Sequence, residues 1–480
     1  MFFSGLFALL LTAHLCESGV LWEGEDLPLA AALRMLHGGA LYRDVWFDKP
    51  PLVPAVYLLW GARIGPLLRV AGAFYTWLAC VLAYVFAEGL HSRNDGAKLG
   101  GYWAAALLGF FLTFDTHSAV LPLTADLLLL APHLAALLFT SRAKYFQAGL
   151  AAGIGFLFNA KGVFVLAACL VFAWPISINA IPLLAGFAVP NIAAAGWLVG
   201  TGSLESYLNQ VWRWPARYAG SPVVSDPVWN GVVRTANWLG FHAVLVIGAG
   251  VFWLRAAAKD RWRFVAWIGI CLAGVALGWR FFPRYYFLLL PALAIPAARG
   301  LTLIRNRTLM AIALLTMAVP LIRFGPRYAM LSNWNDLALD RDSKEASKIA
   351  LANAPAGGSL YVWGYRPEMY VYTGLRPANR FLDCQAMTGV PADRHLVSSE
   401  VVLTSGTHEA REELARSRPD VLIDGLSLYN PALSMDRYPE LRAWLGGYRE
   451  VARTKGSVIY VRRNTVAGVA GPGQPSTIGR

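Results

Sequence analysis

The start of the chain decides the fold. The apolar segment FFSGLFALLLTAHLCESG (residues 2–19) is followed by a polar loop with EGED at 23–26, YRD at 42–44 and FDKPP at 47–51. A segment of about 20 mostly apolar residues is long enough to cross a bilayer. Charge held at the edge of a membrane is energetically costly, so its concentration directly after this segment indicates a functional site.

The composition is that of a membrane protein. Of the 480 residues, 56% are hydrophobic and 15% are charged, whereas an average soluble domain is about 25% charged. The mean hydropathy is +0.46. The net charge of +13 does not indicate nucleic acid, because much of it lies in short loops between apolar segments, where lysine and arginine set the orientation of a membrane protein.

The apolar segments predict an α-helical polytopic membrane protein with about 11 (11–13) transmembrane helices. The first segment is predicted to stay uncleaved, because its beginning carries no lysine or arginine. Segment 50–64 (PLVPAVYLLWGARIG) decides the topology. We predict that it lies along the membrane as a juxtamembrane or re-entrant helix, since the inner loops are then short and rich in positive charge. The N-terminus is then cytoplasmic and the C-terminus lies outside.

With this orientation the unusual polar residues of the chain fall on the outer face. They lie in loop 20–49, near Asp126, at Lys161, in loop 201–235 and in the turn from Arg280 to Arg284. Residues 27–38 of the first loop are predicted to form an interfacial helix that glycine ends. Residues far apart in the chain are therefore expected to share one site.

The composition changes near residue 326. We predict a transmembrane domain over 1–325, an extracytoplasmic α/β domain over 326–463 and a disordered tail over 464–480. The α/β domain is predicted to have helices over 341–353 and 408–418 and strands over 359–363, 420–424 and 457–462. The five cysteines have neither the spacing of a disulfide framework nor that of a metal site.

Acidic residues and a lysine in the first loop are the leading candidates for chemistry. Glu23, Glu25 and Asp26 are suited to act as a general base or as metal ligands, with a solvated loop as the alternative. Asp48 and Lys49 precede two prolines that fix the backbone, which would aim the lysine at a phosphate. The alternative for Lys49 is an interfacial lysine at the start of a helix.

The later candidates interrupt apolar sequence. Asp126 begins the run LLLLAPHLAALLF, where a carboxylate is costly unless it caps a helix or acts on a substrate. Arg280, Arg284 and Tyr285 lie in RFFPRYY between two apolar segments, which suits either a phosphate or an interfacial anchor belt. Lys161 lies between two short apolar segments. The sequence contains no HExxH, Walker or GxSxG motif.

The order of these motifs resembles the GT-C superfamily of membrane glycosyltransferases. This superfamily includes the lipid A aminoarabinose transferases, the protein O-mannosyltransferases and the Rgt-like bacterial sugar transferases. The resemblance covers most of the chain, about residues 1–380. It continues through LTADLLLLAP (123–132), GLAAGIGFLFNAKG (149–162), RFFPRYYFLLLP (280–291) and LYVWGYRPEMYVYTG (360–374).

The resemblance implies a transmembrane catalytic domain with juxtamembrane helices in the first outer loop. It implies a polyprenyl-phosphate sugar as donor and a lipid, glycan or protein as acceptor. It further implies Glu23 or Glu25 as the base, with Asp48 and Asp126 as further acids of the site, and Asp26 remains a candidate from its place in the same acidic cluster. Residues expected to contact the donor phosphate are Lys49, Arg280, Arg284, Tyr285 and Lys161. No cofactor is implied except a divalent cation, whose ligands would be Glu25, Asp48 and Asp126.

Physical chemistry is consistent with this function. A departing phosphate needs little protonation, so a base for the acceptor hydroxyl and cations for the leaving group are sufficient. One alternative is a transporter or flippase of lipid-linked or small solutes, which would place polar groups near mid-bilayer, often in two related halves. Another is a non-catalytic relative that binds glycans. The charges at one face favour the enzyme over the transporter. We expect it in the cell (inner) membrane, with no nucleic acid as partner, and a direct displacement would invert the anomeric centre.

Overall fold

The computed structural model describes residues 1–16, 18–90, 96–115, 122–175, 178–219, 225–255, 261–329, 335–392 and 403–463. The chain divides into two compact units, Met1–Ala338 and Leu339–Arg480. The domain limits near 326 and the role of each domain stay predictions. The tail predicted to be disordered, 464–480, lies outside the described residues.

The first unit is helical. Its α-helices in the described ranges are α1 (Phe2–Leu15), α2 (Asp26–Leu36), α3 (Leu52–Tyr57), α4 (Pro66–Gly89), α5 (Gly96–Phe114), α6 (Ala125–Leu128), α7 (Leu130–Ser141), α8 (Tyr145–Phe158), α9 (Gly162–Phe172), α10 (Ala180–Gly200), α11 (Leu204–Tyr207), α12 (Trp214–Ala219), α13 (Pro227–Phe241), α14 (Ala243–Arg255), α15 (Arg261–Ala276), α16 (Leu290–Thr302), α17 (Arg307–Leu315) and α18 (Ala318–Phe324). Between them lie 3₁₀ turns at Leu58–Trp60, Pro283–Leu288 and Gly325–Tyr328, and a π-helical turn at Leu208–Arg213.

Few of these helices are long enough to cross a membrane alone. Among the described residues, three apolar helical segments meet that length: α4 (Pro66–Gly89), α10 (Ala180–Gly200), and Arg307–Tyr328, which comprises α17, α18 and the 3₁₀ turn after them. The pair α13 and α14 would make a fourth span if taken together, although it is bent by 86°. The expected count of about 11 spans is therefore not confirmed. Fewer helices reach spanning length than expected because several apolar segments are interrupted. One example is the break at residues 159–161, between α8 and α9.

Small residues bring the apolar helices into close contact. Helices α14 and α16 pack where Gly248 faces Gly300, and a Cβ atom on Gly300 would overlap the carbonyl oxygen of Gly248. Small residues at such crossings allow backbones to approach closely, which is a common way to join helices in lipid. The apolar helices indicate a membrane protein.

The first loop contains two short helices. Helix α2 occupies most of the predicted interfacial segment 27–38 and ends before Gly38, whose φ is +86°. Segment 50–64 forms only α3 and one 3₁₀ turn before Gly61 adopts a left-handed conformation. At about 1.5 Å per residue, this helical stretch is too short to cross a bilayer.

The second unit is built around a five-stranded mixed sheet of order β2-β1-β3-β5-β4. Its strands are β1 (Ser359–Trp363), β2 (Arg376–Pro377), β3 (Val421–Asp424), β4 (Tyr448–Arg453) and β5 (Val458–Arg462), and its helices are α19 (Asn335–Asn353), α20 (Glu368–Thr373), α21 (Gln385–Thr388), α22 (Ser405–Arg416) and α23 (Pro439–Leu445). Strand β1 pairs in parallel with β2 and β3, with Trp363 opposite Asp424, and β5 pairs antiparallel with β3 and β4. The three predicted strands are the buried ones. The sequence did not reveal β4, because its charged residues leave no apolar run.

Candidate active site

Lys49 is held on a rigid corner of the first loop. The hydroxyl of Tyr42 donates to the carbonyl of Lys49 at 2.7 Å, and prolines 50–51 lead directly into α3. The Lys49 ammonium lies 3.0 Å from Asp48 Oδ1. Burial lowers the pKa of Lys49, but the adjacent Asp48 carboxylate, with a smaller contribution from Tyr285, raises it more. The lysine is therefore positively charged at neutral pH.

Gln210 fixes the same corner from the π-helical turn. Its buried side-chain amide donates to the carbonyl of Tyr42 at 2.8 Å and accepts from the amide of Phe47 at 2.9 Å. The partners are 168 and 163 residues away in the chain. No pattern in the sequence distinguishes this glutamine, so sequence analysis missed it.

Tyr285 marks the place where the predicted outer residues meet. The ammonium of Lys161 lies over its ring, 3.1 Å from the ring centroid. Burial raises the pKa of Tyr285, and the negative charge of Asp126 raises it further. The cations that lower it are Lys49, Arg280 and Arg284. Lys161 thus contacts the ring directly, and three further cations and one carboxylate lie near enough to change the pKa of this tyrosine.

Lys161 lies in the break between α8 and α9. The residue is 9% exposed, and Nζ has no hydrogen-bond partner among the described residues. Burial lowers the pKa of Lys161 to about 8, with the charge of Asp126 opposing this change. A buried ammonium without hydrogen bonds destabilises the fold, so its position suits a bound anion.

Asp126 lies in the first turn of α6 and is half-buried. The Asn159 amide donates to Asp126 Oδ1 at 3.0 Å, and the Asn159 Oδ1 accepts from the backbone amide of Lys161 at 3.0 Å. Thr124, rather than Asp126, occupies the N-cap position of α6, so the capping alternative does not explain the carboxylate. The break between α8 and α9 thus orients both the acid and the lysine.

Glu23 pairs with Arg284 across the loop. Arg284 Nη1 donates to the carbonyl of Glu23 at 2.9 Å, and Nη2 lies 3.4 Å from Glu23 Oε1. The Glu23 side chain is 71% exposed, so its carboxylate is open to solvent. The neighbouring Gly24 has a φ of +91°, and a Cβ atom there would overlap Arg284 Nη1. Glycine is therefore required for the approach of this arginine.

The other two acids of the cluster EGED are engaged in the fold. Both Glu25 oxygens accept from the guanidinium of Arg69, at 3.1 and 2.8 Å. Asp26 Oδ1 accepts from the amides of Gly24 and Leu27 at 3.0 and 2.8 Å, which stabilises the start of α2. Sequence analysis missed Arg69, although an arginine within an apolar segment is itself a signal.

The residues expected to hold a divalent cation do not fit one. Glu25 is paired with Arg69, Asp48 with Lys49, and Asp126 accepts from Asn159. In the described part of the chain, no three His, Cys, Asp or Glu side chains converge as metal ligands. Positive charge at this site is instead supplied by lysine and arginine.

The buried carboxylate of Asp115 lies next to the aromatic side chain that packs against Tyr286. The indole of Trp238 stacks on Tyr286 at 5.1 Å and donates to Asp115 Oδ2 at 3.3 Å. Burial raises the pKa of Asp115 to about 7. Trp238 therefore packs against the 3₁₀ turn Pro283–Leu288, which contains Tyr285. His117, a lone histidine in the sequence, lies in 116–121, outside the described residues.

Comparison with known proteins identifies the fold. No protein-family model and no curated protein sequence matches the chain. ArnT from Cupriavidus metallidurans is similar over 98% of both chains, with 14% sequence identity and a TM-score of 0.63, in crystal structures bound to undecaprenyl phosphate and in the apo state. An oligosaccharyltransferase from Archaeoglobus fulgidus, in the apo form, is 13% identical over 96% of this chain and 74% of that chain. Its TM-score of 0.48 is too low to establish a common fold.

The chain therefore has the fold of ArnT, a GT-C aminoarabinose transferase. The resemblance that the first-loop motifs predicted is confirmed at the level of the fold.

Proposed function

We propose that the chain is an integral-membrane glycosyltransferase that moves a sugar from a polyprenyl-phosphate donor to a lipid, glycan or protein acceptor on the outer face. One observation carries the proposal. Lys161 lies over the ring of Tyr285 and three further cations are near enough to lower its pKa, in a fold shared with a protein crystallised with undecaprenyl phosphate. The cations are Lys49, Lys161, Arg280 and Arg284.

The four cations suit the charge that develops during transfer. The bond between the anomeric carbon and the phosphate oxygen breaks as the acceptor oxygen bonds to that carbon. The donor phosphodiester carries one negative charge, and the departing polyprenyl phosphate carries about −1.5 to −2, as a phosphate monoester does near pH 7. Preorganised cations stabilise the added charge without rearranging during the reaction. A single displacement of this kind inverts the anomeric centre.

Glu23 is the carboxylate best placed to take the proton from the acceptor hydroxyl. Its side chain is exposed and adjoins the cluster through Arg284. Asp48 pairs with Lys49, the charge of Asp126 stabilises the charged form of Lys161, and Asp26 stabilises the start of α2. A base must reach the proton that it removes, which an open carboxylate beside the leaving-group cations can do.

Transfer by the purified protein tests the proposal. Lipid nanodiscs containing the protein would be incubated with a panel of undecaprenyl-phosphate sugars and envelope lipids, and products identified by mass spectrometry. We expect one donor to be consumed with an inverted product, and a deletion strain to accumulate an acceptor that lacks the sugar. A retained configuration would exclude single displacement. Solute counterflow in proteoliposomes without transfer would favour a transporter instead.

Labelling from outside intact cells tests the proposed orientation. Cysteines would replace Glu23 and Arg43 in the first loop and Arg449 in the second unit, in a Cys16→Ser background. These positions are exposed, and the four other native cysteines are buried. We expect a membrane-impermeant maleimide to modify all three positions in intact cells. Protection of either loop position until the cells are lysed would reverse the proposed topology.

A further inference from the structure

A buried ion pair lies beneath the first loop. Arg69, in the first turn of α4, and Glu25, at the start of α2, are each 1% exposed. Their side chains meet in a bidentate pair, with Arg69 Nη1 3.1 Å from Glu25 Oε1 and Nη2 2.8 Å from Oε2. Nη2 also donates to the carbonyl of Val20 at 2.8 Å. Bidentate geometry with an additional hydrogen bond makes a strong, directional pair.

The pair holds the backbone that precedes Asp126. Glu25 Oε1 also accepts from the amide of Leu123 at 2.6 Å, while the Tyr57 hydroxyl donates to the Leu123 carbonyl at 2.7 Å. The residue Leu123 is thus fixed through both its amide and its carbonyl. Two residues later α6 begins, and its first turn carries the carboxylate of Asp126.

The same segment also adjoins the arginine of the site. Thr124 directly follows Leu123, and a Cβ atom on Gly24 would lie 2.8 Å from Thr124 Cγ2 on one side and overlap Arg284 Nη1 on the other. A displacement of residues 123–124 would therefore move Asp126 and change the position of Arg284.

We infer that Glu25 and Arg69 form a positioning pair that places Asp126 and Arg284 around the donor phosphate, and that Glu25 is not the general base. A base needs a lone pair directed at the acceptor hydroxyl, and an acceptor must be able to reach it. Both Glu25 oxygens already accept hydrogen bonds, and the residue is buried. The inference rests on the proposed function for its catalytic consequence.

Paired substitutions separate the two roles. Removing one member of a buried ion pair leaves an uncompensated charge, so Glu25→Gln and Arg69→Met are each expected to lower kcat/KM by at least about 100-fold. The double variant has no charge at these two buried positions, and its glutamine can still accept from Leu123. We expect the double variant to recover to within about tenfold of the wild type. A base lost at position 25 could not be restored by a substitution at position 69.

The pH profile and a neutral variant exclude a merely structural explanation. The double variant is expected to keep the acidic limb of the wild-type pH–rate profile, which reports the base. Tyr57→Phe removes one hydrogen bond to Leu123 without changing a charge. It should lower kcat severalfold per folded molecule and lower the melting temperature by only a few degrees. Arg43→Met, in the exposed pair with Asp44, is the matched control and should behave as wild type. Failure of the double variant to recover, or loss of the acidic limb, would overturn the inference.

Binding of undecaprenyl phosphate keeps the test independent of transfer. Its affinity for the full-length protein would be measured for the same variants in detergent. We expect Arg69→Met to weaken binding and the double variant to restore it. If the wild type transfers no sugar but this pattern holds, the proposed function fails and the positioning role stands. Equal affinity in all folded variants would refute the positioning role.

Discussion

Replacing Lys161 by methionine is expected to stabilise the protein while it abolishes sugar transfer. The ammonium is 9% exposed, and none of the described residues hydrogen-bonds to it. Burial lowers its pKa from 10.5 to about 8, a difference that corresponds to about 3 kcal/mol against the charged form in the folded state. Methionine has a similar length and no charge. The expected gain at pH 7 is at most about 3 kcal/mol, because the variant also loses the contact between the ammonium and Tyr285.

The sign of the pH dependence follows from the same change in pKa. Between pH 8 and pH 10.5 the unfolded state binds more protons at Lys161 than the folded state does. The free energy of unfolding of the wild type therefore rises with pH in this window, relative to the variant. Below pH 8 the destabilisation is fully present. The advantage of methionine should thus be largest at pH 7 and small at pH 10.

Unfolding by denaturant in mixed detergent micelles, followed by tryptophan fluorescence, measures this difference at both pH values. Lys144→Met is the matched control, because Lys144 is exposed at the N-cap of α8 and its replacement should change the free energy of unfolding by less than about 0.5 kcal/mol. A Lys161→Met variant that is less stable than the wild type at pH 7 would refute the reasoning. So would an advantage that persists unchanged at pH 10.

Three further predictions concern the donor phosphate. Lys49→Ala should lower kcat/KM by at least about 100-fold, because a preorganised charge contact to the leaving group is lost, while the protein still inserts normally. Full activity in transfer assays would show that Lys49 does not contact the donor phosphate. Gly24→Ala should raise the KM for the donor by displacing Arg284, whereas Gly240→Ala, where a Cβ atom meets nothing within 4 Å, should have no effect. The affinity for undecaprenyl phosphate should fall as pH rises above about 8, because Lys161 loses its charge. A titration that stays flat up to pH 10 would contradict this assignment.

Local patterns in the sequence were sufficient for several elements. The helix over 27–38 and the strands near 359–363, 420–424 and 457–462 follow from residue periodicity and from glycine at the helix end. The sidedness of charge in the loops also predicts that Asp126 and Lys161 share the outer face, and Asn159 contacts both in the structure. These features depend on residues that are adjacent in the chain, or on which loops carry positive charge. Both can be read directly from the sequence.

Side-chain directions within the first loop could not be predicted in this way. The sequence offers Glu23 and Glu25 as equivalent candidates for the base, and the difference arises from Arg69, 44 residues beyond Glu25. Gln210 supports the lysine corner from 168 residues beyond Tyr42. Such pairings depend on packing between distant segments. The span count was not confirmed for a related reason, since apolar content does not reveal where a helix breaks.

The break between α8 and α9 limits which substitutions could stabilise this protein without loss of activity. Asn159 and Lys161 supply a carboxamide and an amine only because the helix stops there and turns its polar side chains inward. Alanine at both positions would remove the carboxamide that orients Asp126 and the ammonium that lies over Tyr285. In this protein, residues 159–161 therefore serve the site rather than the continuity of the helix.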